Sequence, residues 1–394
     1  MSNFFPGSAG ILPALREKSG RGRPRCQARV AFAAASAYSQ PMSTAPLALA
    51  DFGWSTHFQA QLTPDDAAAL PVRVVAEHRD ALEAIGPGFE GRIQALTSET
   101  GERDRATVGD WVLIDAVSHR PLKLLTRRNV FKRKSAGKDR GVQLIAANVD
   151  TLLIVTSANQ EFNIARLERY LALARGTDVR AVVVLTKSDL GGDVDTYARE
   201  ARALMEGLVV EAIDARGADA ARVLEPWLGR GQTLALVGSS GVGKSTLVNA
   251  LLGHAQQTTQ EVRGDDARGR HTTSGRSLHG LPSGAWLMDT PGIRELQLID
   301  VEGGIADVFD DITALAADCK YKTCSHGTEP GCAVQAALAS GALEPARFAR
   351  YKKLQGEERR NERQVEEARA RGRSKRYGKS AKKTAAERED RGDG

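Results

Sequence analysis

The sequence predicts a multidomain fold: an amino-terminal all-β barrel, a central α/β domain with a parallel sheet, and a carboxy-terminal helical domain interrupted by a Cys/His cluster. Three observations carry this. From about Phe58 to Leu125, short stretches such as Arg73–Glu77 and Trp111–Asp115 alternate with Gly, Pro and Asp turn signals and show no sustained helical period. Buried apolar runs then alternate with helical patterns, which implies a parallel sheet with both faces covered. Finally, three of the four cysteines crowd between 319 and 332.

A chain of 394 residues exceeds what one hydrophobic core organises, so two or three domains are expected. No apolar run approaches the ~20 residues of a spanning helix, and no membrane segment is expected. The net charge of +6 is unevenly spread: residues 1–41 hold six Lys/Arg and one acid, residues 352–394 fifteen and nine, and the remainder is mildly acidic. A charged tail alone is weak support for nucleic-acid binding. The clustered cysteines do not form the dispersed framework of a secreted disulfide protein, so a reducing, cytoplasmic setting is expected. Residues 1–41 lack a secretory apolar segment and, Arg-rich and acid-poor, loosely resemble a transit peptide; the stronger reading of residues 1–54 is a disordered extension or a start placed too early, with Met1 or Met42 the true start.

In chain order, residues 55–140 form the barrel region and end in Arg127–Arg140 (RRNVFKRKSAGKDR), seven basic residues and one acid around Phe131. That stretch reads equally as a flexible inter-domain loop or as a phosphate-contacting segment with one aromatic for stacking. Residues 141–305 carry the α/β pattern. Thr151–Val155 and Ala181–Leu185 are buried strands, Asn163 caps a helix through Arg175, and Leu234–Val237 and Trp286–Met288 supply two more strands, each ending at a motif. Residues 306–356 are helical around the cysteines; residues 357–394 are almost wholly charged and read as a disordered tail or a lone charged helix.

Gly238–Ser245 reads GSSGVGKS, which fits G-x-x-x-x-G-K-[ST] between a strand and the helical LVNALL. Its candidate phosphate-binding residues are Gly238, Ser239, Ser240, Gly241, Val242, Gly243, Lys244, Ser245 and Thr246. The glycines permit a tight loop with amides aimed inward, Lys244 neutralises phosphate charge and the Ser245 hydroxyl can ligate Mg²⁺. Thr186, Lys187, Ser188 and Asp189 (TKSD) match the [NT]-K-x-D guanine motif, where a carboxylate accepts from guanine N1 and N2, donors adenine does not present. An ATPase is disfavoured by Asp189. Asp289–Gly292 (DTPG) supplies an aspartate for Mg²⁺ and a Gly292 amide for the γ-phosphate; Arg270–Ser274 (RHTTS) is a candidate switch, with Thr273, or secondarily Thr272, as Mg²⁺ ligand.

The order of these motifs is informative. Ordinary P-loop GTPases place the phosphate loop first and the guanine motif later; here TKSD precedes GKS and both switches follow, so the connections of the sheet are circularly permuted and the carboxy-terminal region is attached directly to the second switch. Ile293 follows DTPG where a water-orienting Gln stands in Ras-like enzymes, which predicts slow intrinsic hydrolysis accelerated by a partner. His271 is a water-orienting candidate, with a plain polar switch residue the equal alternative. Cys319, Cys324, His326 and Cys332, spaced C-x4-C-x-H-x5-C, complete a tetrahedral Zn²⁺ sphere with no open position, the pattern of one structural zinc.

Taken together, GDWV (Gly109–Val112), TKSD, GSSGVGKS, RHTTS, DTPGIRE and the Cys/His cluster, in that order over about 55–355, resemble the RsgA (YjeQ) family of circularly permuted small ribosomal subunit biogenesis GTPases. The resemblance implies an amino-terminal OB-fold that binds RNA, a permuted GTPase domain and a zinc-bearing helical domain. It further implies a monomer that binds GTP and GDP with Mg²⁺, hydrolyses GTP under stimulation by the small (30S) subunit late in its assembly, and contacts its rRNA. The alternative is a nucleotide-tuned rRNA-binding checkpoint factor with incidental turnover. Two departures stand out. Ile213, Asp214 and Ala215 replace the family's Ser-Ala loop beside the base, and residues 1–41 have no counterpart.

Overall fold

The computed structural model of the protein describes residues 47–78, 81–95, 105–134, 142–190, 193–217, 219–253, 276–289 and 298–390. Of the expected extension 1–54, residues 1–46 lie outside these residues, as do all of RHTTS with His271, Thr272 and Thr273 and the segment 290–297 with Gly292 and Ile293. The last part of the extension is ordered instead, Leu49–Phe52 forming a helical turn with Phe52 buried, because an apolar ring there packs into the core.

After a short helix α1 (Thr56–Gln59), strands β1 (Ala69–Glu77), β2 (Ala81–Gly86), β3 (Phe89–Gln94), β4 (Trp111–Asp115) and β5 (Pro121–Leu124) form an antiparallel set. β1 pairs with β4 through its first half and with β2 through its second, bulging between Val74 and Ala76. Alternate residues, Val72, Val74, Leu82, Ala84, Ile93, Val112 and Ile114, face one apolar core, as the two-residue side-chain period of a strand requires. Gly109 closes the loop before β4 with φ 93°; a Cβ there would lie 2.1 Å from the Ala147 carbonyl oxygen. The neighbouring Asp110 is fully buried and accepts from both Nε and Nη2 of Arg127 at 2.7 Å and from the Thr107 amide at 2.8 Å. Burial pushes its carboxyl up, and the Arg127 fork opposes that push.

The basic stretch that starts at Arg127 runs into a strand. β6 (Val130–Lys134) pairs antiparallel with β7 (Val142–Ala147). Phe131 is buried in the main core, so the reading that offered it for stacking does not hold, and Val130–Lys134 is paired strand and not loop. Lys132 Nζ reaches Asp300 Oδ2 at 2.8 Å.

The α/β portion follows in the order β8 (Thr151–Ser157), α2 (Ile164–Gly176), β9 (Arg180–Thr186), α3 (Val194–Arg202), β10 (Val209–Ala212), α4 (Asp219–Leu224), β11 (Thr233–Val237), α5 (Lys244–Leu252), β12 (Ser277–Gly280) and β13 (Trp286–Asp289). The sheet order is β10-β9-β8-β11-β13-β12, with β12 antiparallel to β13 and the other pairs parallel. Ser277 of β12 also pairs with Ala76 of β1, which joins the first antiparallel set to this sheet. The chain thus lays down the β8–β10 half before the central strand β11, so the sheet is permuted in fact as well as in motif order. Strand residues alternate between two cores: Leu152, Ile154, Val183 and Leu185 pack with Leu167 and Leu171 of α2, whereas Leu153, Val155, Val182 and Val184 pack with Leu247 and Leu251 of α5. Helices therefore cover both faces, which is why these strands read as continuous apolar runs. Asn163 caps α2, its Oδ1 accepting from the Arg166 amide at 3.0 Å.

Helices α6 (Glu302–Val308), α7 (Asp310–Ala317), α8 (Ala333–Ser340) and α9 (Pro345–Asp390) complete the described chain. α6 lies against α2 where Gly304 meets Gly176; a Cβ on Gly304 would sit 2.1 Å from the Ala172 oxygen. Glu168 of α2 is fully buried and takes Arg350 at 2.7 Å and Arg347 at 3.4 Å, while Arg347 also forks onto Asp311. α9 runs unbroken past residue 356, where the sequence placed the start of the tail. Glu358, Asn361 and Val365, spaced as one helical face, are buried, so residues 357–365 are packed helix rather than disordered tail. The polar identity of the first two hid that face.

Candidate functional site

The site gathers at the carboxyl ends of the parallel strands, where an open α/β sheet leaves backbone groups unpaired and helices begin. β11 delivers Gly238, and the loop to α5 bends through three left-handed glycines, Gly238 (φ 144°), Gly241 (φ 80°) and Gly243 (φ 91°). A Cβ on Gly238 would lie 2.1 Å from the Val155 oxygen, so only glycine lets the loop leave β11 this close to β8. Ser240 and Gly241 are exposed at the tip, Val242 is anchored in the core, and Ser245 and Thr246 lie partly exposed in the first turn of α5. The amino-terminal end of a helix directs its first-turn amides and its positive dipole outward, an arrangement that favours an anion. Lys244 is largely buried, its ammonium donating to the Ser239 carbonyl inside the loop. The loop is therefore folded into an anion cradle with its cation turned inward, and the residues present fit a nucleotide phosphate chain.

Two strands away β9 ends at Thr186, whose hydroxyl lies 2.5 Å from the Val242 oxygen and 3.1 Å from the Thr156 oxygen. One buried side chain thus ties the TKSD turn to the phosphate loop. Lys187 follows in the left-handed region (φ 60°), and Ser188–Leu190 form a helical turn bearing Asp189. The Ile213–Ala215 loop sits beside it: the Ile213 amide donates to the Leu185 oxygen at 2.8 Å. Arg216, next in the chain, is ion-paired with Asp189, a partner that motif reading gave no reason to anticipate. Asp289 ends β13, paired in register with Ser277. The phosphate loop, TKSD and Asp289 thus occupy neighbouring strand ends.

The other cluster is separate. The ligand atoms of Cys319, Cys324, His326 and Cys332 lie within 4.8 Å of one another. The Sγ atoms of Cys319 and Cys332 are 3.8 Å apart, and each lies 3.6 Å from His326 Nδ1. Zn–S and Zn–N bonds of about 2.3 and 2.05 Å at a tetrahedral angle give edges of about 3.8 and 3.6 Å, so the donor set and spacing fit Zn²⁺. A hydrogen bond from the Gln335 amide to Cys332 Sγ at 3.4 Å and one from Gln335 Nε2 to the His326 oxygen at 2.7 Å hold the ligand loop. Glu329 ties the loop further: bonds from Ser325 and the Gly327 amide bring its carboxyl down to about 2.

This fold and site define a P-loop GTPase with a circularly permuted sheet. A family model described as RsgA GTPase matches residues 124–299. The small ribosomal subunit biogenesis GTPase RsgA of Mesorhizobium japonicum is 50% identical over 316 residues, covering 79% of this chain and 90% of that protein. A protein of the same name, RsgA 2, from Vibrio parahaemolyticus is 45% identical over 345 residues, covering 87% and 94%. Among solved structures, YjeQ from Thermotoga maritima aligns with TM-score 0.53 at 23% identity, covering 73% of this chain and 97% of that one, and YloQ, described as a circularly permuted GTPase, with 0.50 at 21%, covering 74% and 96%. At such identity the structural likeness speaks for the fold. The chain belongs to the RsgA GTPase family and is a P-loop GTP hydrolase.

Proposed function

We propose that this GTPase acts in biogenesis of the small ribosomal subunit, late in its assembly, with GTP turnover stimulated by that subunit. The observation that carries the nucleotide part is the Thr186 bond to Val242, which places the guanine-type motif and the phosphate loop at one mouth of the sheet. In this reading Gly238–Thr246 wrap the phosphates, Lys244 turns from Ser239 to the β- and γ-phosphates, and Asp189 accepts from guanine while Lys187 packs along the base. Thr186 and Ser188 shape that turn. Ser245, Thr273 and Asp289 hold Mg²⁺, which supplies charge neutralisation when bound, and the Gly292 amide meets the γ-phosphate. His271 is the candidate for orienting water.

The ribosomal part rests on the relatives' names and on the arrangement of the chain. We assign residues 55–140 to an OB-fold that contacts rRNA, supported by β1 pairing with both β2 and β4 around one core. Residues 141–305 form the GTPase domain and 306–356 the domain stabilised by one structural zinc. The protein works as a cytoplasmic monomer. A second reading, a nucleotide-tuned rRNA-binding checkpoint factor, draws on Ile293, whose apolar side chain cannot orient water. Co-sedimentation with isolated 30S and 50S subunits tests the assignment: retention on 30S with a non-hydrolysable GTP analogue, and release with GDP, is expected. Equal retention on both subunits in either nucleotide state removes it.

A further inference from the structure

The guanine pocket contains a cation that the motif does not call for. Arg216 follows the Ile213–Ala215 loop, and its amide donates to Asp214 Oδ1 at 2.9 Å, a turn that aims the side chain back toward β9. Its Nη2 is ion-paired with Asp189 Oδ2, and its Nε lies 3.6 Å from Asp214 Oδ1. The guanidinium is thus held between two carboxylates, which raise its affinity for its proton, Asp189 first. Its side chain is 66% exposed while that of Asp189 is 26% exposed, so the arginine lies on the solvent side of the pair.

We infer that Arg216 is an affinity-determining residue of the guanine site, an internal competitor that holds the Asp189 carboxylate when the pocket is empty and is displaced by the base. The inference rests on Asp189 as the guanine acceptor. A base using both carboxylate oxygens must take Oδ2 from the arginine, so the ion pair stabilises the empty state and weakens nucleotide binding. Guanine replaces the lost partner with its N1 and N2 donors; adenine presents neither at those positions and leaves the pair intact. The competitor therefore lowers GDP affinity and favours release of product, and its influence declines as salt screens an exposed pair.

The test is equilibrium binding of a ribose-labelled fluorescent GDP, with the matching ADP as control, to the parent protein, Arg216→Ala, Arg216→Lys and Asp189→Ala. Arg216→Ala should bind the GDP probe about two- to fivefold more tightly, the range an exposed pair is worth, and the lysine variant should stay near the parent. That gain should shrink toward unity when salt rises from about 50 mM to about 500 mM. ADP binding should not change. Unchanged or weakened GDP binding in Arg216→Ala, with Asp189→Ala strongly impaired, overturns the competitor role alone; intact GDP binding in Asp189→Ala overturns the guanine assignment beneath it.

Discussion

Glu358→Gln should stabilise the protein above neutral pH and leave it unchanged in acid. Glu358 lies on α9 with 3% of its surface exposed, and its Oε1 accepts from the Val301 amide at 3.2 Å. Burial, and then Glu362 one helical turn on, push its carboxyl up from 4.5 to about 7, with Glu302 adding to the effect. The folded state therefore holds this proton more tightly than the unfolded chain. Stability contributed by protonation is complete below about pH 4.5, declines as pH rises from there to about 7, and is gone above it. At about 1.4 kcal/mol per pH unit the gap is worth at most about 3.5 kcal/mol, and sharing of the proton with Glu362 brings it to about 1–2 kcal/mol. Glutamine keeps an oxygen for the Val301 amide and cannot ionise. Urea unfolding of parent and variant at pH 5 and pH 8 reads this directly. The variant should gain about 1–2 kcal/mol at pH 8 and about zero at pH 5. A difference independent of pH, or a loss at pH 8, would refute the reasoning.

Three further outcomes are expected. Gly304→Ala places a methyl 2.1 Å from the Ala172 oxygen and 2.3 Å from the Gly176 nitrogen, so α2 and α6 must part; a loss of about 2–3 kcal/mol is expected in denaturant melts, and under about 0.5 would show that the contact yields. Thr186→Val keeps the shape but leaves the Val242 oxygen without its partner, and calorimetric GDP affinity should fall about tenfold; an unchanged value would mean the phosphate loop does not depend on that clasp. Elemental analysis should find one zinc per chain, lost in Cys332→Ser together with order in α7 and α8; a metal-free parent with normal helicity would remove the zinc assignment.

The parts of the fold legible in sequence were those written in local pattern. Thr151–Val155 and Ala181–Leu185 lie inside β8 and β9 because strands buried on both faces need apolar residues throughout, and Asn163 is visible as a cap because a capping side chain must be short and polar. The phosphate loop is equally plain, since its geometry demands glycine at fixed places. Long-range pairing left no such mark. Nothing local announces that Arg216 reaches Asp189, nor that Phe131 turns into the core instead of toward a ligand. The packed start of the charged helix was hidden for a similar reason: Glu358 and Asn361 are buried to satisfy the Val301 amide and the Leu298 oxygen, a role set by a neighbour far away in the chain.

That neighbour is also the segment directly after 290–297. Asn361 Nδ2 binds the Leu298 oxygen at 2.9 Å, and Val365 packs with Ile299 and Val142. Helix α9 therefore grips the chain just beyond the second switch motif, while Glu168 with Arg347 and Arg350 fastens the same helix to α2. The permuted order gives the carboxy-terminal helices this direct attachment.

The most direct measurement is phosphate release from GTP and from ATP by the purified protein, alone and with isolated 30S or 50S subunits. The account predicts slow release from GTP alone, large stimulation by 30S subunits only, and negligible release from ATP; equal turnover of ATP, or indifference to 30S subunits, would contradict it.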